Sequence, residues 1–325
     1  MAITTTTPNP NSTTHDYAKH CRAIHDAQGE LNQLVRVLAR RTHLERRHVR
    51  ETYIAMYGEE LVDHLQKIQT TNKRNELSAL LILSMLEPHE RDAAIARDAL
   101  EHGDANHRAL VEIYVGRKSS HLLLIKQAYQ AKFKRQLEQH IISSEPLHPY
   151  QRILVALAAS HKSHHVDASQ HIAKCDARRL YETGEGRLGA IEESVVLELL
   201  SKRSIPQLKL TFSSYKHIYG HDYTKSLKKV TSGEFADALR VVVKCMYTPP
   251  KYYAKVLHAS IKGTTTEKCD LLRVIVSRAE VDMDEIQSVF KKKYGKELRD
   301  AISESIPNGD YRDFLVALVT NNPSS

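Results

Sequence analysis

Apolar residues recur along this chain at three- and four-residue spacing, as in Leu34, Val37 and Leu38, or Leu122, Leu123, Ile125 and Tyr129. No stretch sustains the two-residue alternation of a half-buried strand, so the pattern predicts an all-helical protein. Residues 1–15 (MAITTTTPNPNSTTH) are rich in Thr, Pro and Asn with no apolar period, which reads as a disordered tail, the fold beginning near Asp16.

Self-similarity organises the rest. An apolar helix ending in Arg, a gap of twelve residues to an aromatic, and a second aromatic four residues later occur four times. The copies are Arg41 with Tyr53 and Tyr57, Arg117 with Tyr129 and Phe133, Arg203 with Tyr215 and Tyr219, and Arg278 with Phe290 and Tyr294. Aromatics four residues apart share one helix face and read as core, while the recurrent Arg reads as a charge that satisfies helix carbonyls or buried carboxylates. The boundaries that follow are a tail 1–15, repeats over 16–87, 88–160, 175–247 and 248–320, a polar His-rich connector 161–174 and a short tail 321–325. The connector divides the chain into two halves of two repeats each.

The 325 residues include 47 Lys+Arg against 39 Asp+Glu, a formal net charge of +8, which favours anionic partners without choosing between acidic lipid and nucleic acid. Nineteen histidines would add positive charge on mild acidification. Cys21, Cys175, Cys245 and Cys269 form no C-x-x-C pair, and the N-terminus lacks a basic segment followed by an apolar one, so a reduced, cytoplasmic protein is expected. No window approaches 18 consecutive apolar residues, so membrane contact is expected to be peripheral.

The four-fold pattern resembles the annexin family over Asp16 to Thr320. The signatures are S-K-R-S around Arg203, Y-x-x-x-Y-G-x-x-L from Tyr53 to Leu61, EPHERDA at Glu87 to Ala93, VSRAEVDM at Val276 to Met283 and GDYRDFLVAL at Gly309 to Leu318. The EPHERDA and RAEVDM forms look like plant annexins. The resemblance implies five helices per repeat, a curved disc with a convex membrane-facing side, and calcium-dependent binding to acidic phospholipid. In the family's chemistry a glycine-rich turn between the first two helices supplies backbone carbonyls, and a carboxylate about forty residues on completes the oxygen cage.

Counting back from each Arg places that turn at Asp26-Ala27-Gln28-Gly29, His102-Gly103-Asp104-Ala105, Leu188-Gly189-Ala190-Ile191 and Gly263-Thr264-Thr265-Thr266. Only the last keeps the first glycine and the closing threonine. At the acid position the first repeat has Lys67, Ile68, Gln69 and Thr70, and the third has Lys229, Val230 and Thr231. The second has Glu145 without a matching turn; the fourth has Glu304 one position away, beside Ser305. One damaged calcium site remains as a candidate, the carbonyls of Ile261, Gly263 and Thr265 with Glu304, and weak affinity is expected of it.

Four basic clusters, Arg46-Arg47-Arg50, Lys132-Lys134-Arg135, Lys228-Lys229 and Lys291-Lys292-Lys293, would attract acidic headgroups or form ordinary solvated helix faces. His161, His164, His165, His171 and Cys175 carry zinc or copper ligand types, or else form a solvated linker. Five residues before each anchoring Arg stand Arg36, Glu112, Glu198 and Arg273. By resemblance to the family's hydrophilic central channel, Glu112 with Arg273 and Asp92 with Arg117 are expected as ion pairs that either conduct cations or hold the protein together. No phosphate-binding G-x-x-x-x-G-K-[ST] exists, since Gly295-Lys296 is preceded at the needed spacing by Phe290 and followed by Glu297, and Arg40 stands where some relatives carry a haem-like histidine ligand. No catalytic role is expected. The sequence reading is a peripheral protein of acidic membranes, weakly dependent on calcium or independent of it, with no DNA partner; a helical scaffold for a protein or RNA partner is the alternative.

Overall fold

The computed structural model describes residues 10–26, 35, 38–39, 41–71, 76–101, 106–144, 148–161, 168–187, 191–230, 233–263 and 265–320. Among these residues there are nineteen helices and no strand. The first repeat contributes α1 (Pro10–Asp26), α2 (His43–Tyr57), α3 (Leu61–Thr71) and α4 (Glu76–Met85). The second contributes α5 (Pro88–Glu101), α6 (His107–Gly116), α7 (Ser119–Phe133), α8 (Leu137–Ser143) and α9 (Pro149–Ser160). The third runs through α10 (Gln170–Glu182), α11 (Glu193–Lys202), α12 (Ile205–Tyr219), α13 (Tyr223–Val230) and α14 (Glu234–Tyr247). The fourth has α15 (Pro249–Lys262), α16 (Thr265–Arg278), α17 (Met283–Tyr294), α18 (Leu298–Ser305) and α19 (Asp310–Thr320).

Local chemistry sets these limits. Thr42 caps α2 with a full capping box, its hydroxyl oxygen accepting from Glu45 N while Glu45 accepts from Thr42 N, and Ser204 caps α12 by accepting from Gln207 N. The helix that carries the two aromatics in each repeat, α2, α7, α12 and α17, ends at the second of them, and the next residue is left-handed and leaves the helical path. Gly58, Gly220 and Gly295 take that conformation without a Cβ penalty, whereas the second repeat places Lys134 there at φ 55°.

Two boundaries differ from the sequence reading. Helix α1 begins at Pro10, inside the stretch expected to be a disordered tail; proline fits the first turn of a helix, where its missing N–H is not needed. Helix α10 begins at Gln170 behind a Ser169 cap, so residues 170–174 are helix, not connector. The connector also does not divide the molecule. One compact unit contains residues 1–91 and 254–325, the other 92–253, so the first repeat packs with the fourth and the second with the third.

The two units are built alike. In the first, α4 packs against α16 and α19; in the second, α9 packs against α11 and α14. A helix enclosed by a neighbouring repeat must be apolar nearly all round. Helix α4 buries Leu77, Leu80, Leu81, Ile82 and Met85, and α9 buries Ile153, Leu154, Ala156, Leu157 and Ala158. The recurrent first aromatics Tyr53, Tyr129, Tyr215 and Phe290 are at most 1% exposed and form the centre of each repeat.

Candidate functional site

The anchoring arginines bind carboxylates in one register. Arg117 donates from Nε and Nη2 to Asp92 at 2.6 and 3.0 Å, and Arg203 donates to Asp176 at 2.7 and 3.0 Å, each acid standing on the first helix of the same repeat. Arg41 reaches Asp16 at 3.4 Å and Glu45 at 3.0 Å. In the fourth repeat the acid's place is taken by buried Tyr253, and Arg278 turns instead to Asp282, a turn further along the chain, at 2.7 and 2.5 Å. The two forks, Arg117 to Asp92 and Arg203 to Asp176, fix the first helix of the second and third repeats against the end of the helix that follows.

Asp92 and Arg117 are thus brought together within the second repeat. Glu112 and Arg273 fall in separate compact units. Within its unit Glu112 accepts from Tyr252 Oη at 3.0 Å, and Arg273 donates to Asp270 at 2.8 Å. Glu198, at the place equivalent to Glu112, lies on the surface between Arg179 and Lys202 at 2.6 and 2.7 Å. Arg36 lies outside the described residues.

Of the candidate calcium turns, residues 27–29, 102–105, 188–190 and Thr264 lie outside the described residues, as does Glu145. The described part of the fourth-repeat site has Ile261 in the last turn of α15, Gly263 between helices and Thr265 opening α16. Glu304, its one carboxylate, projects from α18 and is ion-paired with Lys296.

Lys296 and Glu304 stand one and nine residues after the left-handed Gly295; at the same places after Gly58 the first repeat has Glu59 and Lys67, the same pair with its charges exchanged. In the third repeat these places hold His221 and Lys229, two donors, and both turn to one acid that the sequence reading passed over, Glu185. Its carboxylate accepts from Ser226 Oγ at 2.6 Å, His221 Nε2 at 2.7 Å, Lys229 Nζ at 3.1 Å and Tyr215 Oη at 3.3 Å. Burial alone would raise its pKa, but the hydrogen bonds from Ser226, His221 and Lys229 outweigh burial and hold it at about 2. The available signal was length: the separation of Asp176 and Arg203 is two residues greater than that of Asp92 and Arg117, with Gly184-Glu185-Gly186 in the longer turn.

The basic clusters divide. Lys132, Lys134 and Arg135, Lys228 and Lys229, and Lys291, Lys292 and Lys293 are exposed. Arg46 and Arg50 are not; they are 3% and 9% exposed and serve inside the first unit. Arg46 donates to Arg41 O and Glu280, and Arg50 to Met85 O, Glu60 and Glu90. The cluster expected on a solvated face is thus largely an internal tie between repeats. Of the connector ligand types, His161 donates from Nε2 to Tyr114 O and meets Ser119 Oγ at Nδ1, His171 lies 3.8 Å from Cys175 Sγ on α10, and His164 and His165 lie outside the described residues. Among the described residues no group of three or more His, Cys, Asp or Glu side chains is arranged to hold a metal, and no helix is long and apolar enough to cross a membrane.

Helical repeats of this build, locked by Arg–Asp forks and paired first with fourth and second with third, define an all-helical repeat protein. The annexin family model matches residues 91–157, 175–242 and 252–318, and the chain belongs to the annexin family. It is 34% identical to human annexin A3 over 91% of this chain and 90% of that protein, and 35% identical to mouse annexin A4 over 88% and 87%. The solved structure of annexin III superposes with a TM-score of 0.82 at 32% identity, covering 94% of both chains. The family is known for calcium-dependent binding to phospholipid. The relatives named here are mammalian.

Proposed function

We propose that this annexin binds acidic membrane surfaces peripherally through its exposed lysines and arginines, with little or no dependence on calcium. The observation that carries this reading is what occupies the calcium positions. Lys67 and Lys229 stand in the stretches where the capping acid belongs, and Glu304 is held by Lys296. A cation supplied by the chain takes the place of one recruited from solution. Exposed lysines of α7, α13 and α17 add the attraction that a negative bilayer exerts on each nearby charge, about 1 kcal/mol apiece.

No catalytic step is assigned, and no cofactor other than calcium is implied. Vesicles containing phosphatidylserine, sedimented with the protein in chelator at increasing salt, test the reading. Binding should be present at low salt and fade over the range in which the Debye length shrinks from about 30 to about 8 Å. Charge reversal of Lys132, Lys134 and Arg135 together should weaken it. Binding that ignores salt, or that is absent without calcium, would defeat the reading, and absence under every condition would leave the scaffold alternative.

A further inference from the structure

In the third repeat the turn that follows α10 is joined directly to α13. The turn after α10 closes on itself: Gly184 N and Gly186 N both donate to Tyr181 O, at 3.1 and 2.8 Å, Arg187 N donates to Gly184 O at 3.1 Å, and Glu192 N donates to Thr183 O at 3.0 Å. The carbonyls of Tyr181, Thr183 and Gly184 thus accept within the turn. The glycines are required by space, since a Cβ on Gly184 would lie 2.9 Å from Leu180 O and one on Gly186 would lie 2.7 Å from the Tyr181 ring. That ring is itself stacked on Tyr219 at 4.0 Å. Between the two glycines, Glu185 leaves the turn and meets Ser226 and Lys229 of α13, His221 just before it and Tyr215 of α12.

We infer that Glu185 is a metal-free latch that fastens the first interhelical turn of the third repeat to α13, the task a calcium ion would otherwise perform, so that calcium does not remodel this repeat. Four donors converge on one carboxylate, two of them from the end and the beginning of the short α13 region, and Lys229 supplies the positive charge at the position where the family's acid would stand. Charge-assisted hydrogen bonds of this kind are about twice as strong as neutral ones. The latch does not rest on membrane binding and is tested without a membrane.

Hydrogen exchange of the full chain, followed by mass spectrometry, reads the latch through the amides of Gly184, Gly186 and Arg187. Their protection in the unmodified protein should be the same in millimolar calcium and in chelator. Glu185→Gln should speed their exchange about tenfold, the effect of losing one charge-assisted bond, while peptides from α16 to α19 stay unchanged. Should that variant unfold as a whole, Lys229→Ala decides: it removes one outer donor, and a rise of about threefold is expected. Slower exchange on adding calcium to the unmodified protein would overturn the inference, as would unchanged exchange in Glu185→Gln, or in Lys229→Ala where the first variant does not fold.

Discussion

Arg117 grips Asp92 with two parallel hydrogen bonds, 2.6 and 3.0 Å long, at a carboxylate only 1% exposed. Removing one member of so buried a pair strands the other, which costs about 3–5 kcal/mol. Asp92→Ala should therefore lower stability by that order in urea denaturation, whereas Arg117→Lys, which keeps the charge and loses the fork, should cost less. An Asp92→Ala protein with an unshifted midpoint would show that the fork does not hold the repeat.

Lys134 occupies the left-handed position that glycine fills in the other three repeats. A side chain there carries a penalty of roughly 1–2 kcal/mol, part of which glycine's extra freedom in the unfolded chain offsets. Lys134→Gly should stabilise the protein by roughly 0.5–1 kcal/mol, seen as a higher urea midpoint with an unchanged slope. Destabilisation would mean that the lysine contributes a contact worth more than its strain.

Acidification should loosen the fold in two stages. Burial pushes the pKa values of His64, His140, His161 and His258 below 6.5, with Lys262 and Lys293 adding to the effect at His258. The unfolded chain then takes up protons before the folded one, so the stability these rings give is present above pH 6.5 and lost as pH falls below it. Glu185, held at about 2, gives stability that is present above its ordinary 4.5 and lost as pH falls from there toward about 2. Urea midpoints measured from about pH 7.5 to about pH 5.5 should fall, and His140→Gln, which removes the ring bonded to Tyr129 Oη at 2.6 Å, should shrink the fall. A midpoint that rises over that interval would contradict the assignment.

The repeat register was legible because its aromatics have to recur on one helix face to meet in each core, and the anchoring arginines were legible as partners for buried acids. Which repeats pair was not. Repeats flanking the connector share a unit because α9 is apolar on several sides and packs on α11 and α14, a relationship between distant segments that periodicity does not encode. Arg46 and Arg50 looked like surface because charge usually means solvent; each is instead buried beside acids far along the chain, Glu280 and Glu90. Glu185 escaped notice because counting back a fixed distance from Arg203 lands beyond it, in a turn that is longer in this repeat.

The central claim is that the chain's own cations stand where calcium would, and the calcium response of membrane binding tests it most directly. The fraction of protein bound to phosphatidylserine vesicles, at one low ionic strength, should be the same within about twofold in millimolar calcium and in excess chelator. Binding that appears only with calcium, rising by orders of magnitude over the chelated sample, would contradict it.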